Sequence, residues 1–192
     1  MGLRASKKRL VREQLASAAM KLFSARGFEA VTVDEIVAEV NVSRRSFFRY
    51  FPTKEAVFFA RRADQIEQLE ALLKAPLPGE QPFETVRRSL LVLADDHVAR
   101  REQILIEHQV IAGAPALSGH ELELDRAAVL AIASALSRGS RAAAVVHRGK
   151  LAAGALIGVL RVVLEDWVAT GAKSNLRKSG ASALQLLQPL AG

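Results

Sequence analysis

Arg44, Arg45, Ser46 and Arg49 fall within six residues, flanked by Ser43, Tyr50 and Lys54. A guanidinium donates paired hydrogen bonds to a phosphate, or to O6 and N7 of a guanine edge. Hydroxyls and the first N–H groups of a helix suit phosphate oxygens. The chemistry expected of this stretch is therefore recognition of a polyanion. Catalysis has far less to work with. The chain has no cysteine, which excludes a thiolate zinc site, an iron–sulfur cluster and a cysteine nucleophile. Of the four histidines, His97, His108, His120 and His147, none pairs with another at i+4. Asp95, Asp96 and His97 are consecutive, so on a helix they point in different directions. Glu121, Glu123 and Asp125, near His120, suit the start of a helix better than a metal. There is no glycine-rich phosphate loop and no nucleophile elbow. No catalytic residue, metal or cofactor is expected, and the chain is not expected to be an enzyme.

The charge agrees with a localised polyanion site. The 192 residues carry a formal charge of +7, and the first 62 hold 13 Lys/Arg against 6 Asp/Glu, which is the whole excess. The remaining 130 residues are neutral, with 14 of each sign. Eight of the ten aromatic residues also lie in the first 60. Two bodies are expected: a basic, aromatic head and a larger aliphatic one. We place the boundary at 54/55, giving a basic head over 1–54 and a larger aliphatic body over 55–192.

Helical periodicity positions the basic stretch. Val11, Leu15, Ala18, Ala19, Leu22 and Phe23 form one 3.6-residue stripe, stopped by Gly27. Thr32-Val33-Asp34-Glu35 reads as a capping box that opens a second helix to Val40. Asn41 tolerates the left-handed backbone of a sharp turn, and Ser43 caps a third helix over 44–50. Thr53 caps a long fourth helix to about Lys74, and 75–79 is a Pro/Gly linker. Further helices are expected near 83–97, 101–111, 124–135, 147–170 and 176–187. The fold class is all-α, with about nine helices and no sheet.

Capped helix, tight turn and short basic helix together make a helix-turn-helix over 32–50. This stretch, with Gly27-Phe28 before it and Phe47-Phe48-Arg49-Tyr50-Phe51-Pro52-Thr53-Lys54-Glu55 closing it, resembles the TetR-family DNA-binding domain over about residues 8–58. The run Arg44 to Phe51 also resembles the branch that includes the mycofactocin-system regulators. The resemblance implies a homodimeric transcription regulator, most often a repressor, that binds a palindromic double-stranded DNA operator and is released by a small ligand. Carried over residue by residue, it implies that Thr32, Tyr50 and Lys54 hold phosphates while Arg44, Arg45 and Ser46 face the groove. Ser43, Phe48 and Arg49 complete the expected DNA-binding set. Phe48 stands where the family often has tyrosine, so one hydroxyl contact is missing. Phe47 and Phe51 are expected in the core. Arg4, Lys7, Lys8, Arg9 and Arg12 are expected either to form a flexible arm on DNA or to be a solvated tail. Arg61 and Arg62 are expected on a solvated helix face.

In the larger body, Leu151, Ala155, Val159, Val163 and Trp167 form one i+4 ridge, and Leu156, Leu160, Leu164 and Val168 another. A helix apolar around most of its girth must be covered on both sides. A second copy is the expected cover, through Leu151, Ala155, Gly158, Val159, Val163, Leu184 and Leu187. Gly154 and Gly158 would allow close approach; ordinary core packing is the alternative. Leu105, His108, Gln109 and Trp167 are the candidate lining of a pocket for a small apolar ligand. The basic start lacks the apolar run of a signal peptide, and 151–160 is too short to span a membrane. No membrane partner and a cytoplasmic location are expected. Two other functions fit the composition: a non-specific architectural DNA-binding protein, and a small-molecule-binding protein without DNA function.

Overall fold

The computed structural model describes residues 3–191, and the side chains of residues 7–189. Every regular element among them is helical: ten α-helices and one short 3-10 turn. The chain divides into two compact units, Met1–Arg62 with Ile106–Glu121, and Ala63–Leu105 with Leu122–Gly192.

The first unit contains α1 (Leu3–Arg26), α2 (Val33–Val40), α3 (Arg44–Tyr50) and α4 (Lys54–Phe58). Gly27 ends α1 at a φ of +81°, and its N–H donates to the Phe23 carbonyl at 2.8 Å. Phe23, Phe28 and Phe58 form one aromatic cluster with centroids 5.0 to 6.1 Å apart. Offset and edge-on rings at such distances add to the burial of their area. The expected boundary at 54/55 falls inside this unit, because Val57, Phe58 and Phe59 are all buried.

That burial also corrects the long fourth helix. Val57 to Ala60 are buried in succession, but successive helical side chains point 100° apart and cannot share one side. The helix breaks at Phe59, giving α4 and α5 (Ala60–Lys74), so there are ten helices where about nine were expected. Phe58 turns to the aromatic cluster and Phe59 stacks on His120, centroids 5.2 Å apart.

The remaining helices are α6 (Pro82–Ala99), α7 (Arg101–Ala112), α8 (Ser118–Leu136), α9 (Ala143–Ala169) and α10 (Leu176–Ala191). The second unit is built on Leu69, Val86, Ile132, Ala153, Leu156 and Leu184, all buried. Gly149 brings α9 close to α8, since a Cβ there would lie 2.4 Å from Ser137 Oγ and 3.2 Å from the Ala133 carbonyl. Gly154 and Gly158 make no such approach within their own chain and face open space.

Glu80 ties the 75–79 linker to α6. Its carboxylate accepts from Arg88 Nε at 2.8 Å, the Leu77 N–H at 2.9 Å and the Thr85 hydroxyl at 3.0 Å. The Arg88 bond first, and the Leu77 N–H next, lower its pKa from 4.5 to about 2. A carboxyl with a depressed folded pKa supplies stability above its unfolded pKa and loses it as pH falls. Glu80→Gln should therefore flatten the fall in melting temperature between about pH 5 and about pH 2. Thermal melts across that window measure the difference from the native chain.

Candidate nucleic-acid interface

The turn between α2 and α3 forms as its residues dictate. Thr32 Oγ1 accepts the Glu35 N–H at 3.3 Å, and Glu35 Oε2 accepts the Thr32 N–H at 2.8 Å, completing the capping box. Arg26 adds a 2.6 Å ion pair to Glu35. The Thr32 N–H, followed by Arg26, holds the Glu35 carboxyl down at a pKa of about 2. Asn41 takes the left-handed conformation, φ 53° and ψ 49°, and its N–H closes the end of α2. Ser43 caps α3 by accepting the Ser46 N–H at 3.1 Å. Thr53 caps α4 through the Ala56 N–H, also at 3.1 Å.

These caps aim α3. Phe47 is wholly buried and Phe51 nearly so, while Phe48 is 44% exposed. Phe47 meets Phe48 edge-on with centroids 5.3 Å apart and lies 5.7 Å from Phe51. With that face anchored, Arg44, Arg45, Phe48 and Arg49 are left exposed. Arg45 has no ion-pair or hydrogen-bond partner among the described residues. Arg44 donates from Nη1 to both oxygens of Asp34, at 3.2 and 3.0 Å, and lies over the Phe48 ring. Arg49 lies over the Tyr50 ring and donates to its hydroxyl at 3.2 Å, leaving the phenol proton for another acceptor.

The other expected contacts are more engaged than their residue types suggest. The Thr32 hydroxyl donates to Glu35 and that of Ser43 to Ser46, so a phosphate would have to replace those bonds. Lys54 donates to the carbonyls of Phe28 and Val31 at 2.9 and 3.0 Å, and sits 4.2 Å from the Phe28 centroid. It closes the loop between α1 and α2 and keeps one N–H for an outside acceptor. Lys7, Lys8 and Arg9 stand on α1, which begins at Leu3, so the expected arm is helical over these residues. The side chain of Arg4 lies outside the described residues. Arg12 reaches Phe51, its guanidinium 5.4 Å from the ring centroid.

Arg61 and Arg62 do not lie on a solvated face. Arg61 makes a two-pronged ion pair with Glu107, at 3.1 and 2.8 Å, with the side chains only 16% and 14% exposed. Arg62 pairs with Glu121 at 2.8 Å. Both acids lie in the unit's second segment, some fifty residues on, where helical periodicity cannot pair them with α5.

Of the four candidate pocket residues, Leu105 and Trp167 pack in one apolar cluster with Ile104, Ala172 and Leu176. The indole N–H there is satisfied by the Ser174 carbonyl at 3.0 Å. His108 and Gln109 stand one turn beyond Leu105 on the same helix, α7. An open cleft of about 800 Å³ lies elsewhere, lined by Leu73, Lys74, Leu130, Arg138, Val146 and Lys150 among others, and by none of the four. In the expected dimer set, Leu184 is buried in its own chain's core and Leu187 packs against that core. An i+4 row drifts 40° around a helix at each step, so the ridge from Leu151, 62% exposed, turns inward and ends at buried Trp167. The uncovered large apolar positions of these two helices, among the described residues, are Leu151 and Val162 on α9, with Val145 nearer its start, and Leu186, 80% exposed, on α10. Gly154 and Gly158 are exposed between the first two. Sequence reasoning missed Val162 and Leu186; a 3.6-residue row counted outward from Leu151 finds the first. No helix among the described residues is long and apolar enough to cross a membrane, and no group of three or more potential metal ligands occurs among them.

Comparison with known proteins locates the same segment. Residues 15–60 match the model of the bacterial regulatory proteins of the tetR family. The HTH-type transcriptional regulator TcmR of Streptomyces glaucescens is 39% identical over 85 residues, 44% of this chain and 38% of TcmR. MftR of Mycobacterium tuberculosis, named for mycofactocin biosynthesis, is 24% identical over 172 residues, 88% of this chain and 85% of MftR. The crystal structure of Thermus thermophilus FadR, a TetR-family transcriptional repressor in complex with lauroyl-CoA, superposes with a TM-score of 0.59 at 26% identity, over 92% of each chain. The matched segment holds the capping box, the Asn41 turn and the basic α3, and residues 15–60 form a DNA-binding segment of the tetR family of bacterial regulatory proteins.

Proposed function

We propose that this chain is a sequence-specific DNA-binding transcriptional regulator, a ligand-responsive repressor that acts as a homodimer on a palindromic operator. The observation that carries this reading is α3: its aromatic face is buried and its Arg44, Arg45 and Arg49 are exposed. The N-terminal residues of a second helix are those that reach base edges in helix-turn-helix proteins. Lys7, Lys8, Tyr50 and the free N–H of Lys54 supply phosphate contacts that position α3 without reading sequence.

Leu151, Gly154, Gly158 and Val162 form one uncovered strip on α9, and a second copy is the cover we assign to it. The ligand is a small, mainly apolar molecule taken into the helical body; that such regulators take ligands is supported by FadR, which is in complex with lauroyl-CoA. Within that body, Gln65 is buried and donates to Asp96 at 2.9 Å. A few such polar groups in an apolar surround fix a ligand's orientation.

Selection of bound sequences from random DNA tests the reading. The native chain should enrich a palindrome whose half-sites lie about one helical turn, or a multiple of it, apart. Arg44→Ala and Arg45→Ala should each erase preference at one base position, worth about 1–3 kcal/mol per lost bidentate contact. Binding without enrichment at moderate salt would identify a non-specific DNA-binding protein instead. No retention of DNA would leave the small-molecule-binding role.

A further inference from the structure

Asp34 lies in the first turn of α2, and Arg44 is the first residue of α3. Both carboxylate oxygens of Asp34 converge on one guanidinium nitrogen, Nη1, at 3.2 and 3.0 Å. The opposite edge of the guanidinium, Nε with Nη2, has no partner among the described residues. The Phe48 ring lies under the same group, 5.7 Å from its central carbon, within the range of a cation–π contact. Arg44 is thus held on one nitrogen and on one face, with its two-donor edge open.

That edge is the one a guanine needs. O6 and N7 are read by two parallel N–H groups, which requires the guanidinium plane to be set in advance. A phosphate is less demanding, because any approach of a cation releases counterions. A carboxylate beside the arginine acts oppositely on the two. It fixes the plane for the base edge, and its negative charge offsets the attraction of phosphate for Arg44. Both side chains are well exposed, 66% for Asp34 and 61% for Arg44. An exposed pair is weak, so it contributes little to folding and orients the group without locking it.

We propose that Asp34 is a specificity-determining positioning residue: it holds Arg44 by Nη1, so that the Nε–Nη2 edge reads guanine and the cation is withheld from phosphate. The proposal rests on the reading of α3 as the DNA-reading helix.

Equilibrium binding of the full chain to its selected duplex and to a random duplex, across a salt series, tests it. Asp34→Ala and Asp34→Asn should raise affinity for the random duplex and lower the specific-to-random ratio about fivefold, the scale of one exposed ion pair. Binding to the random duplex should also steepen in salt by about 0.9 in log–log slope, one further phosphate neutralised. Arg44→Ala should abolish both effects, so the double variant behaves as Arg44→Ala alone. A role confined to folding would move the melting temperature of both Asp34 variants and leave the salt slope unchanged, which overturns the proposal. So would an unchanged ratio in variants that melt as the native chain does, while Arg44→Ala loses a guanine preference. If Arg44→Ala selects the same sequence as the native chain, it is the reading of α3 at this residue that fails.

Discussion

Replacing Glu107 by Ala is expected to destabilise the first unit by about 3 kcal/mol. Its carboxylate takes two hydrogen bonds from Arg61, and both side chains are largely withdrawn from water. Removing the carboxylate takes two hydrogen bonds from a guanidinium that has already lost most of its hydration, which is why such a deletion costs far more than cutting an exposed pair. The expected figure sits at the lower end of the fully buried range because some solvent reaches both groups. Urea unfolding followed by far-UV circular dichroism measures it, as a lower midpoint with an unchanged slope. Replacing both partners by apolar residues, Arg61→Met with Glu107→Leu, should recover most of the loss, because no desolvated guanidinium is then left short of hydrogen bonds. A double variant no more stable than Glu107→Ala would show that the pair's geometry, and not the hydrogen bonds lost to the guanidinium, sets the cost. The functional consequence is local. Glu107 and Glu121 belong to the segment Ile106–Glu121, which joins the DNA-binding head as part of the same unit. Arg61 and Arg62 tie that segment to the head. Loosening it should weaken DNA binding without changing which sequence is preferred.

Phe47→Ala should cost about 3–5 kcal/mol and abolish DNA binding at 37 °C, although Phe47 touches no base. Phe47 is wholly buried between Phe48 and Phe51. Its loss leaves a cavity that the seven-residue α3 cannot close without moving. A helix this short has little stability of its own and depends on the face it packs. Domain stabilities are only about 5–15 kcal/mol in total, so this deletion removes a large share. The neighbouring Phe48→Ala separates packing from recognition. Its ring is half exposed, so the melting temperature should move little, while Arg44 loses the surface beneath its guanidinium. Thermal melts with binding to the selected duplex give both readouts. A Phe47→Ala chain that melts within a degree of the native one would refute the packing account.

The head was legible because its signals are local. A capping box spans four residues, the Asn41 turn one, and Ser43 and Thr53 each cap the helix that follows. Such bonds join residues three apart, so residue types alone announce them. The burial of Phe47 and Phe51 against exposed Phe48 followed from helical period in the same way. The partners of the basic residues were not legible. Asp34 is ten residues from Arg44, and the carbonyls that hold Lys54 are 26 and 23 residues away. Glu107 is 46 residues from Arg61. No periodicity links such positions; they meet only because two helices pack. An acid in the first turn of α2 ahead of an arginine in the first turn of α3 was the one available signal for Asp34.

The helical body divides along the same line. Apolar stripes marked its helices, and the girth of α9 already required a cover on two sides. Which side its own chain covers was decided by packing. Ala152, Ala153 and Leu156 went inward with Leu184, while Leu151, Val162 and Leu186 stayed out. Trp167, nominated for a pocket, closed its N–H on the Ser174 carbonyl. By itself, then, the sequence determined the helices, their caps, the turn and the place of the charge, because each depends on neighbours within one helical turn. Tertiary structure alone decided which cations are already engaged, where the fourth helix breaks and which apolar face remains open. Those outcomes depend on distances between residues that are remote along the chain.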